Sequence, residues 1–154
     1  MKDISVRFAR REDREQLARL RAALWPESSA EEHAEELSLI LAGRPPGRMP
    51  LVVLIAEAED GTLAGFLEAG LRLHADGCNE AHAVGYMEGW YVTKKFRRCG
   101  IGAELLRAAE DWARGQGCVE IASDAQIENE VSQRAHEALG FDIASRSVNY
   151  RKRL

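Results

Sequence analysis

The chain has 154 residues, of which 45% are hydrophobic and 30% are charged, a composition typical of a single globular domain over residues 1–154. Its formal net charge of −4 argues against a nucleic-acid-binding protein, since such proteins are more often basic. No apolar run is long enough to cross a membrane, and the first residues lack the apolar stretch of a signal peptide. We therefore expect a cytoplasmic protein that binds neither nucleic acid nor membrane.

The cysteines Cys78, Cys99 and Cys118 are odd in number and widely spaced. This pattern fits neither a disulfide framework nor a metal site, so we predict no bound metal. Cys99 lies in a basic turn described below, where a nucleophilic role is an alternative. Because no His or Asp is close in sequence to activate its thiol, we do not favour that role.

The first part of the chain predicts one strand and two helices. Apolar and polar residues alternate over residues 4–8, which indicates a strand. A helix from Glu12 to Leu24 ends at Trp25-Pro26, because the residue before proline is pushed out of the helical region. Ser29-x-x-Glu32 is a capping box for a second helix to about residue 42. Trp25, at an exposed helix end, is either a core residue or the wall of a substrate site.

Three strands joined by turns are predicted next, over about residues 51–57, 62–73 and 84–92. The last of these strands carries Glu88 among apolar residues. A carboxylate in such a strand costs stability unless it is paired or has a function. Glu88 is therefore a candidate functional residue, with a structural salt bridge as the alternative.

A basic turn with two glycines, Arg97-Arg98-Cys99-Gly100-Ile101-Gly102, connects the strand that ends at Val92 to an apolar-faced helix. Glycines let the backbone approach a ligand closely, and the first turn of a helix offers unpaired N–H groups to an anion. The spacing is that of neither a dinucleotide-binding nor a Walker loop. We predict a pyrophosphate site, with a plain strand–turn–helix corner as the alternative. A basic turn in an acidic protein suits an anionic cofactor and a cationic substrate.

The end of the chain predicts a strand over about residues 119–123, a helix over residues 129–138 and a final strand over about residues 141–150. Asp124 directly follows the first of these strands. Ligands gather at the C-terminal ends of strands in open α/β sheets, so Asp124 is a second candidate acid.

Two motifs resemble those of the GNAT superfamily of N-acetyltransferases. One is the aromatic strand followed by R-x-x-G-x-G, and the other is Asn129-x-x-Ser132-x-x-Ala135-His136-x-x-x-Gly140-Phe141. The resemblance covers the whole chain and implies an α/β fold of mixed α+β type, with a central mixed, mostly antiparallel sheet flanked by about four helices. It also implies acetyl-CoA as co-substrate, bound by Trp90, Tyr91, Val92, Arg97, Arg98, Cys99, Gly100, Ile101, Gly102, Ala103 and Asn129.

Further segments, Leu24-Trp25-Pro26, Glu88-Gly89 and Ala122-Ser123-Asp124 among them, are similar to the aminoglycoside 6'-N-acetyltransferases. In those enzymes the residues matching Trp25, Glu88 and Asp124 line the aminoglycoside site. The resemblance thus implies a small polycationic amine as substrate, antibiotic resistance as the outcome, and a homodimer.

The mechanism implied is direct transfer, in which Glu88 or Asp124 accepts the proton of the amine. His136 stands where the family often has a tyrosine that protonates the leaving thiolate, and histidine could serve as that acid. The alternatives are an acetyltransferase for another polyamine or a protein amine, and a non-catalytic acetyl-CoA-binding domain.

Overall fold

A computed structural model describes residues 3–154 and shows a five-stranded sheet in the order β1-β2-β3-β4-β5. The strands are β1 (Ile4–Phe8), β2 (Leu51–Ala58), β3 (Leu63–Arg72), β4 (Val84–Val92) and β5 (Ile121–Ser123). Strands β1 to β4 are antiparallel, and β5 is parallel to β4. The mixed, mostly antiparallel sheet expected from the sequence is confirmed.

The helices are α1 (Arg14–Leu24), α2 (Ala30–Leu41), α3 (Ile101–Gly115) and α4 (Glu130–Ala138). Short 3-10 turns precede α1 and α3, at Arg11–Asp13 and Lys94–Phe96. Within residues 3–154, no helix has both the length and the apolar character that crossing a membrane requires.

Local sequence signals set the helix ends near the start of the chain. The Ser29 hydroxyl accepts a hydrogen bond from the Glu32 N–H at 3.1 Å, and the Glu32 carboxylate accepts one from the Ser29 N–H at 2.8 Å. This is the capping box that the sequence predicts. Helix α1 ends at Leu24, directly before Trp25-Pro26, as predicted.

The sheet separates two apolar cores. Helices α1 and α2 cover one face, where Leu17 and Leu37 pack with Phe66 of β3. Helix α3 covers the other face, where Leu105 packs with Leu67 of β3. Because side chains alternate along a strand, Glu68 shares the face of Phe66 and points towards α1 and α2, where it meets Arg21.

Strand β4 has a β-bulge at Glu88. Glu68 of β3 lies opposite Gly89 and Ala69 lies opposite Met87, so Glu88 is the extra residue on β4. A bulge bends the strand and redirects its side chain. Among the described residues, β5 pairs with β4 from Gly85 to Met87 and no further. The strands therefore diverge at the bulge, and the edge of β4 beyond it has no strand partner.

The final strand predicted over residues 141–150 is wrong. Residues 141–154 form no regular secondary structure, and Ile143, Val148 and Tyr150 are 55%, 73% and 93% exposed. The Ser145 hydroxyl donates to Asp76 at 2.6 Å. A strand forms only where another strand edge accepts its N–H and C=O groups, and in the part of the chain that the structure describes residues 142–154 pair with no strand. We call these residues the C-terminal arm.

Candidate active site

An open cavity of about 590 Å³ lies beside the bulge. It is bounded by the end of α1, by α2, by the loop over residues 45–50 and by strands β3 and β4. Its charged lining consists of four carboxylates and two arginines, with one histidine: Glu27, Glu36, Glu68, Glu88, Arg21, Arg48 and His33. An excess of carboxylates in a concave site raises the local concentration of cations. The cavity is therefore suited to a cationic ligand.

Trp25 lies across β4 at the wall of this cavity. A Cβ atom at Gly89 would come within 2.4 Å of the Trp25 ring, so the ring occupies the space that the missing side chain leaves. The ring packs edge-on against Phe66 with centroids 6.0 Å apart, and the Arg21 guanidinium lies 5.2 Å from its centre. The His33 Nε2–H donates to the Trp25 carbonyl at 3.0 Å. Trp25 is thus both packed against the core and part of the cavity wall.

Glu88 and Asp124 are joined through two further side chains. Arg72 donates to both carboxylate oxygens of Glu88 at 2.9 and 2.7 Å, and its guanidinium lies 3.5 Å from the centre of the Tyr86 ring. The Tyr86 hydroxyl donates to Asp124 Oδ2 at 3.0 Å. Burial, followed by the Asp124 charge, raises the pKa of Tyr86 to about 12. Tyr86 therefore stays protonated and can hold the Asp124 carboxylate in place.

Glu88 has the salt bridge that the sequence left open as an alternative. The Arg72 and Glu88 side chains are 43% and 32% exposed, and ion pairs of that exposure stabilise a fold by roughly 0–1 kcal/mol. Stability alone is therefore a weak reason for a carboxylate at the bulge. Its position on the cavity wall remains the stronger argument for a function.

His136 of α4 lies against the end of β5. Its Nδ1 is 2.7 Å from the Ser132 carbonyl oxygen, which can only accept, so the hydrogen-bond network assigns the proton to Nδ1. Its Nε2 lies 2.9 Å from the Ser123 hydroxyl, from which it accepts a hydrogen bond when the ring is neutral and to which it donates one when the ring carries a second proton. The ring has edge contacts with Trp90 and Phe141, at centroid distances of 5.5 and 5.2 Å. Ser123 thus joins His136 to the strand end that carries Asp124.

The start of α3 has the features of an anion site. The first intrahelical bond runs from the Glu104 N–H to the Gly100 carbonyl, so the N–H groups of Ile101, Gly102 and Ala103 have no acceptor within the helix. Gly100 has φ +78° and occupies open space. A Cβ atom at Gly102 would come within 2.9 Å of the Trp90 indole. The backbone of the first turn therefore lies directly on Trp90.

Arg97 and its neighbours hold the turn before α3. The Arg97 Nε–H donates to the Val92 carbonyl at 2.8 Å, and its guanidinium lies 5.7 Å from the centre of the Tyr91 ring. Arg98 has φ +61°, a left-handed conformation that costs a residue with a side chain on the order of 1–2 kcal/mol. The exposed Cys99 thiol lies 3.5 Å from the Arg97 carbonyl, a contact that would not activate it as a nucleophile.

Asn129 caps α4, with its side-chain oxygen accepting from the Ser132 N–H at 3.1 Å. This is a structural role, and it orients the helix that carries His136. Within the described residues, β5 does not pair with β4 from Glu88 to Val92, and Trp90 on this edge lies against both the His136 ring and Gly102 of α3. An extended ligand can pair with such an edge as an added strand would.

Comparison with known proteins decides the family. The model of the Acetyltransferase (GNAT) family matches residues 14–141. The chain belongs to the GNAT acetyltransferase family. The GNAT resemblance and fold predicted from the sequence are thereby confirmed.

Similar GNAT proteins include aminoglycoside N(6')-acetyltransferase type 1 of Klebsiella aerogenes, 43% identical over 135 residues that cover 88% of this chain and 87% of the relative. The protein of the same name in Stenotrophomonas maltophilia is 37% identical over 147 residues, covering 96% and 92%. Among solved structures, AAC(6')-Iy in complex with CoA has a TM-score of 0.89 at 33% identity, covering 100% of this chain and 97% of that one. AAC(6')-Iy in complex with the bisubstrate analogue CoA-S-monomethyl-acetylneamine has a TM-score of 0.87 at 33% identity, covering 99% of both chains.

In this GNAT chain the structure brings Trp25 and Glu88 together at the cavity, and it links Asp124 to Glu88 and His136 through neighbouring side chains. Asp124 does not line the cavity itself. The catalytic and binding roles expected for these residues remain predictions. Four residues that now belong to the site were not singled out from the sequence: Glu68, Arg72, Tyr86 and, except as the neighbour of Asp124, Ser123.

Proposed function

We propose that this chain transfers the acetyl group of acetyl-CoA to the 6'-amine of aminoglycoside antibiotics, directly and within a ternary complex, and so confers resistance. The observation that carries the proposal is the acidic cavity beside the bulge of β4, whose lining includes Trp25, Glu68 and Glu88. It opens beside the unpaired β4 edge that leads to the start of α3. The names of the relatives at 37–43% identity, and the CoA and bisubstrate complexes of AAC(6')-Iy, support the same activity.

Acetyl-CoA fits the edge of β4 beyond the bulge and the start of α3. The N–H groups of Ile101, Gly102 and Ala103 would hold its pyrophosphate, because they have no intrahelical acceptor. Arg97, Arg98 and Cys99 flank that site, with Gly100 leaving it open. The backbone of Trp90, Tyr91 and Val92 would hold the pantetheine arm, and its N–H groups offer donors to a thioester carbonyl. When bound, acetyl-CoA supplies an activated acetyl group.

Side chains of this protein then position the amine and accept its proton. An alkyl ammonium group, with a pKa of roughly 10 like that of lysine, must lose a proton before it can attack. Asp124, held by Tyr86, and Glu88, held by Arg72, are the acceptors. Trp25 positions the sugar ring against the cavity wall. Holding amine and thioester together contributes much of the rate through proximity.

The experiment that tests this function is acetyl-CoA-dependent thiol release with a panel of aminoglycosides with and without a 6'-amine. We expect turnover only with the compounds that carry that amine. Equal turnover with 6'-hydroxyl compounds would contradict the proposed position. Acetyl-CoA binding without any turnover across the panel would contradict the proposed substrate and direct the search to other polyamines and to protein amines.

We further propose that the chain acts as a homodimer in which the C-terminal arm pairs with a second copy. The arm leaves apolar side chains exposed, and its backbone lacks a strand partner within the described part of its own copy. The outer edge of β5 is a place where such a segment can pair. The reducing cytoplasm is the proposed location, since all three cysteines are free in the structure.

The homodimer is tested by Val148→Asp in the arm. Burying a carboxylate in an interface is costly, so we expect light scattering on a sizing column to report two chains for the wild type and one for the variant. Val131→Asp is the matched control, because Val131 is also exposed, at 78% against 73% for Val148, but lies on α4. A wild type with the mass of one chain would contradict the dimer. A variant that remains a dimer would contradict the role of the arm.

Gly89→Ala tests the position of Trp25. The new Cβ atom would meet the ring at 2.4 Å and displace it, so we expect the KM for aminoglycosides to rise about tenfold or more, as for the loss of a buried aromatic contact. The dissociation constant for acetyl-CoA, measured by calorimetry, should not change. Gly115→Ala is the control, since a Cβ there meets nothing within 4 Å. An unchanged KM in the Gly89 variant would exclude Trp25 as a substrate contact.

A further inference from the structure

Glu68 is a buried carboxylate in the wall of the amine cavity. It is 3% exposed, on β3 next to the bulge, and it lines the cavity together with Glu88. Its Oε1 lies 2.9 Å from Arg21 Nε. The two atoms are out of line for a hydrogen bond, and in the described residues neither has another hydrogen-bond partner. A buried ion pair with such geometry gains less than it loses by desolvation, so fold stability does not account for it.

The groups around Glu68 come from each element that surrounds the cavity. Arg21 of α1 is shared, because its Nη2 also donates to Glu36 of α2 at 2.8 Å. His33 of α2 donates its Nε2–H to the Trp25 carbonyl at 3.0 Å. On β4, Glu88 is paired with Arg72 of β3. Glu27 and Arg48 complete the charged lining. With all carboxylates ionised and Arg72 included, four negative charges face three positive ones, an excess of one negative charge.

This excess negative charge makes the ionisation of the Glu68 carboxyl sensitive to a nearby cation. Burial raises the pKa of Glu68 to about 7, opposed by Arg21 and reinforced by the charges of Glu36 and Glu88. When no cation lies beside it, the carboxyl is therefore partly protonated at neutral pH. A positive charge placed beside it favours the ionised form, and the proton released goes to the solvent.

We propose that Glu68 is a second substrate-binding carboxylate, at the floor of the cavity, which binds an ammonium group of the aminoglycoside other than the one acetylated. The proposal rests on the proposed function and adds to it a residue that selects polycations over simple amines. Glu88, which is one-third exposed, binds an ammonium group at the rim of the cavity, and Glu68 binds one at its floor. The other reading of the same contacts is that Glu68 serves only as the counter-ion of Arg21.

Glu68→Gln separates the two readings. We expect the dissociation constant for kanamycin B, measured by calorimetry, to rise about tenfold or more, as for the loss of a charged hydrogen bond. The dissociation constant for acetyl-CoA should not change, and kcat should change less than KM. Calorimetry at pH 7 in two buffers of different ionisation enthalpy counts the protons exchanged on binding. The variant should release fewer protons than the wild type, because binding of a cation ionises the Glu68 carboxyls that are protonated at that pH.

The matched control is Glu57→Gln on β2, where the carboxylate is also paired with an arginine, Arg7, at 2.8 Å. It should leave the kanamycin B affinity and the proton count as in the wild type. A Glu68 variant that melts earlier but binds kanamycin B with the wild-type affinity and proton count would overturn the proposal in favour of the counter-ion reading.

If the Glu68→Gln variant does not fold, Glu68→Asp decides, because it keeps the charge beside Arg21 and withdraws the carboxylate by one methylene group. Weaker kanamycin B binding with an unchanged acetyl-CoA dissociation constant supports the proposal, and wild-type kanamycin B affinity overturns it. Turnover of the wild type with 6'-amino aminoglycosides is measured separately. Failure of the Glu68 assignment is thus distinguishable from failure of the proposed function.

Discussion

Asp124→Asn is expected to lower the turnover of aminoglycosides about a hundredfold or more, the contribution typical of a positioned general base. The amide keeps the size of the carboxylate and a contact with Tyr86 but cannot take a proton from the amine. Acetyl-CoA affinity should change little, because Asp124 lies at the end of β5, away from the start of α3. The measurements are kcat from thiol release and the acetyl-CoA dissociation constant from calorimetry.

The control for this prediction is Asp111→Asn on α3, where the carboxylate forms only an exposed ion pair with Arg114. Its kcat should equal that of the wild type. Glu88→Gln should also lower turnover, and in addition raise the aminoglycoside KM, because it leaves the Arg72 charge unpaired at a cavity that binds cations. A turnover near the wild-type value in both the Asp124 and Glu88 variants would remove these carboxylates as proton acceptors.

His136→Phe is expected to lower kcat by on the order of a hundredfold, the effect of losing a general acid at the leaving sulfur. Phenylalanine keeps the ring contacts with Trp90 and Phe141, so the loss would reflect chemistry. Ser123 and His136 share a hydrogen bond of 2.9 Å. We therefore expect both Ser123→Ala and His136→Phe to alter the pH dependence of kcat. Non-additive losses in the double variant would mark a shared role.

The control is His82→Gln, which replaces an exposed histidine of the β3–β4 connection. It should leave both kcat and its pH profile unchanged. If His136→Phe turns over at the wild-type rate at every pH, His136 is a packing residue of α4 and the leaving sulfur departs without a protein acid.

Features encoded by neighbouring residues were predictable from the sequence. The end of α1 before Trp25-Pro26 and the capping box at Ser29 depend on contacts within a few positions, and the structure has both. Glu88 was found because a carboxylate in an apolar strand is unusual. Glu68 carries the same signal, between Leu67 and Ala69, and it could have been found in the same way.

Features that depend on distant parts of the chain were not predictable. Tyr86 and Asp124 are 38 positions apart, and only the pairing of β4 with β5 brings them together. The bulge at Glu88 is a property of the register between two strands, which one strand does not reveal. The C-terminal arm has strand-like residues, but a strand also needs a partner edge, and within the described residues the arm pairs with none.

The most direct test of acetyl transfer to one defined amine is the position of the acetyl group in the product. Kanamycin B would be incubated with acetyl-CoA and the protein, and the product analysed by mass spectrometry and two-dimensional NMR. We expect a single acetyl group, on the 6'-nitrogen. A single product acetylated at another nitrogen, or no product while acetyl-CoA binds, would contradict it.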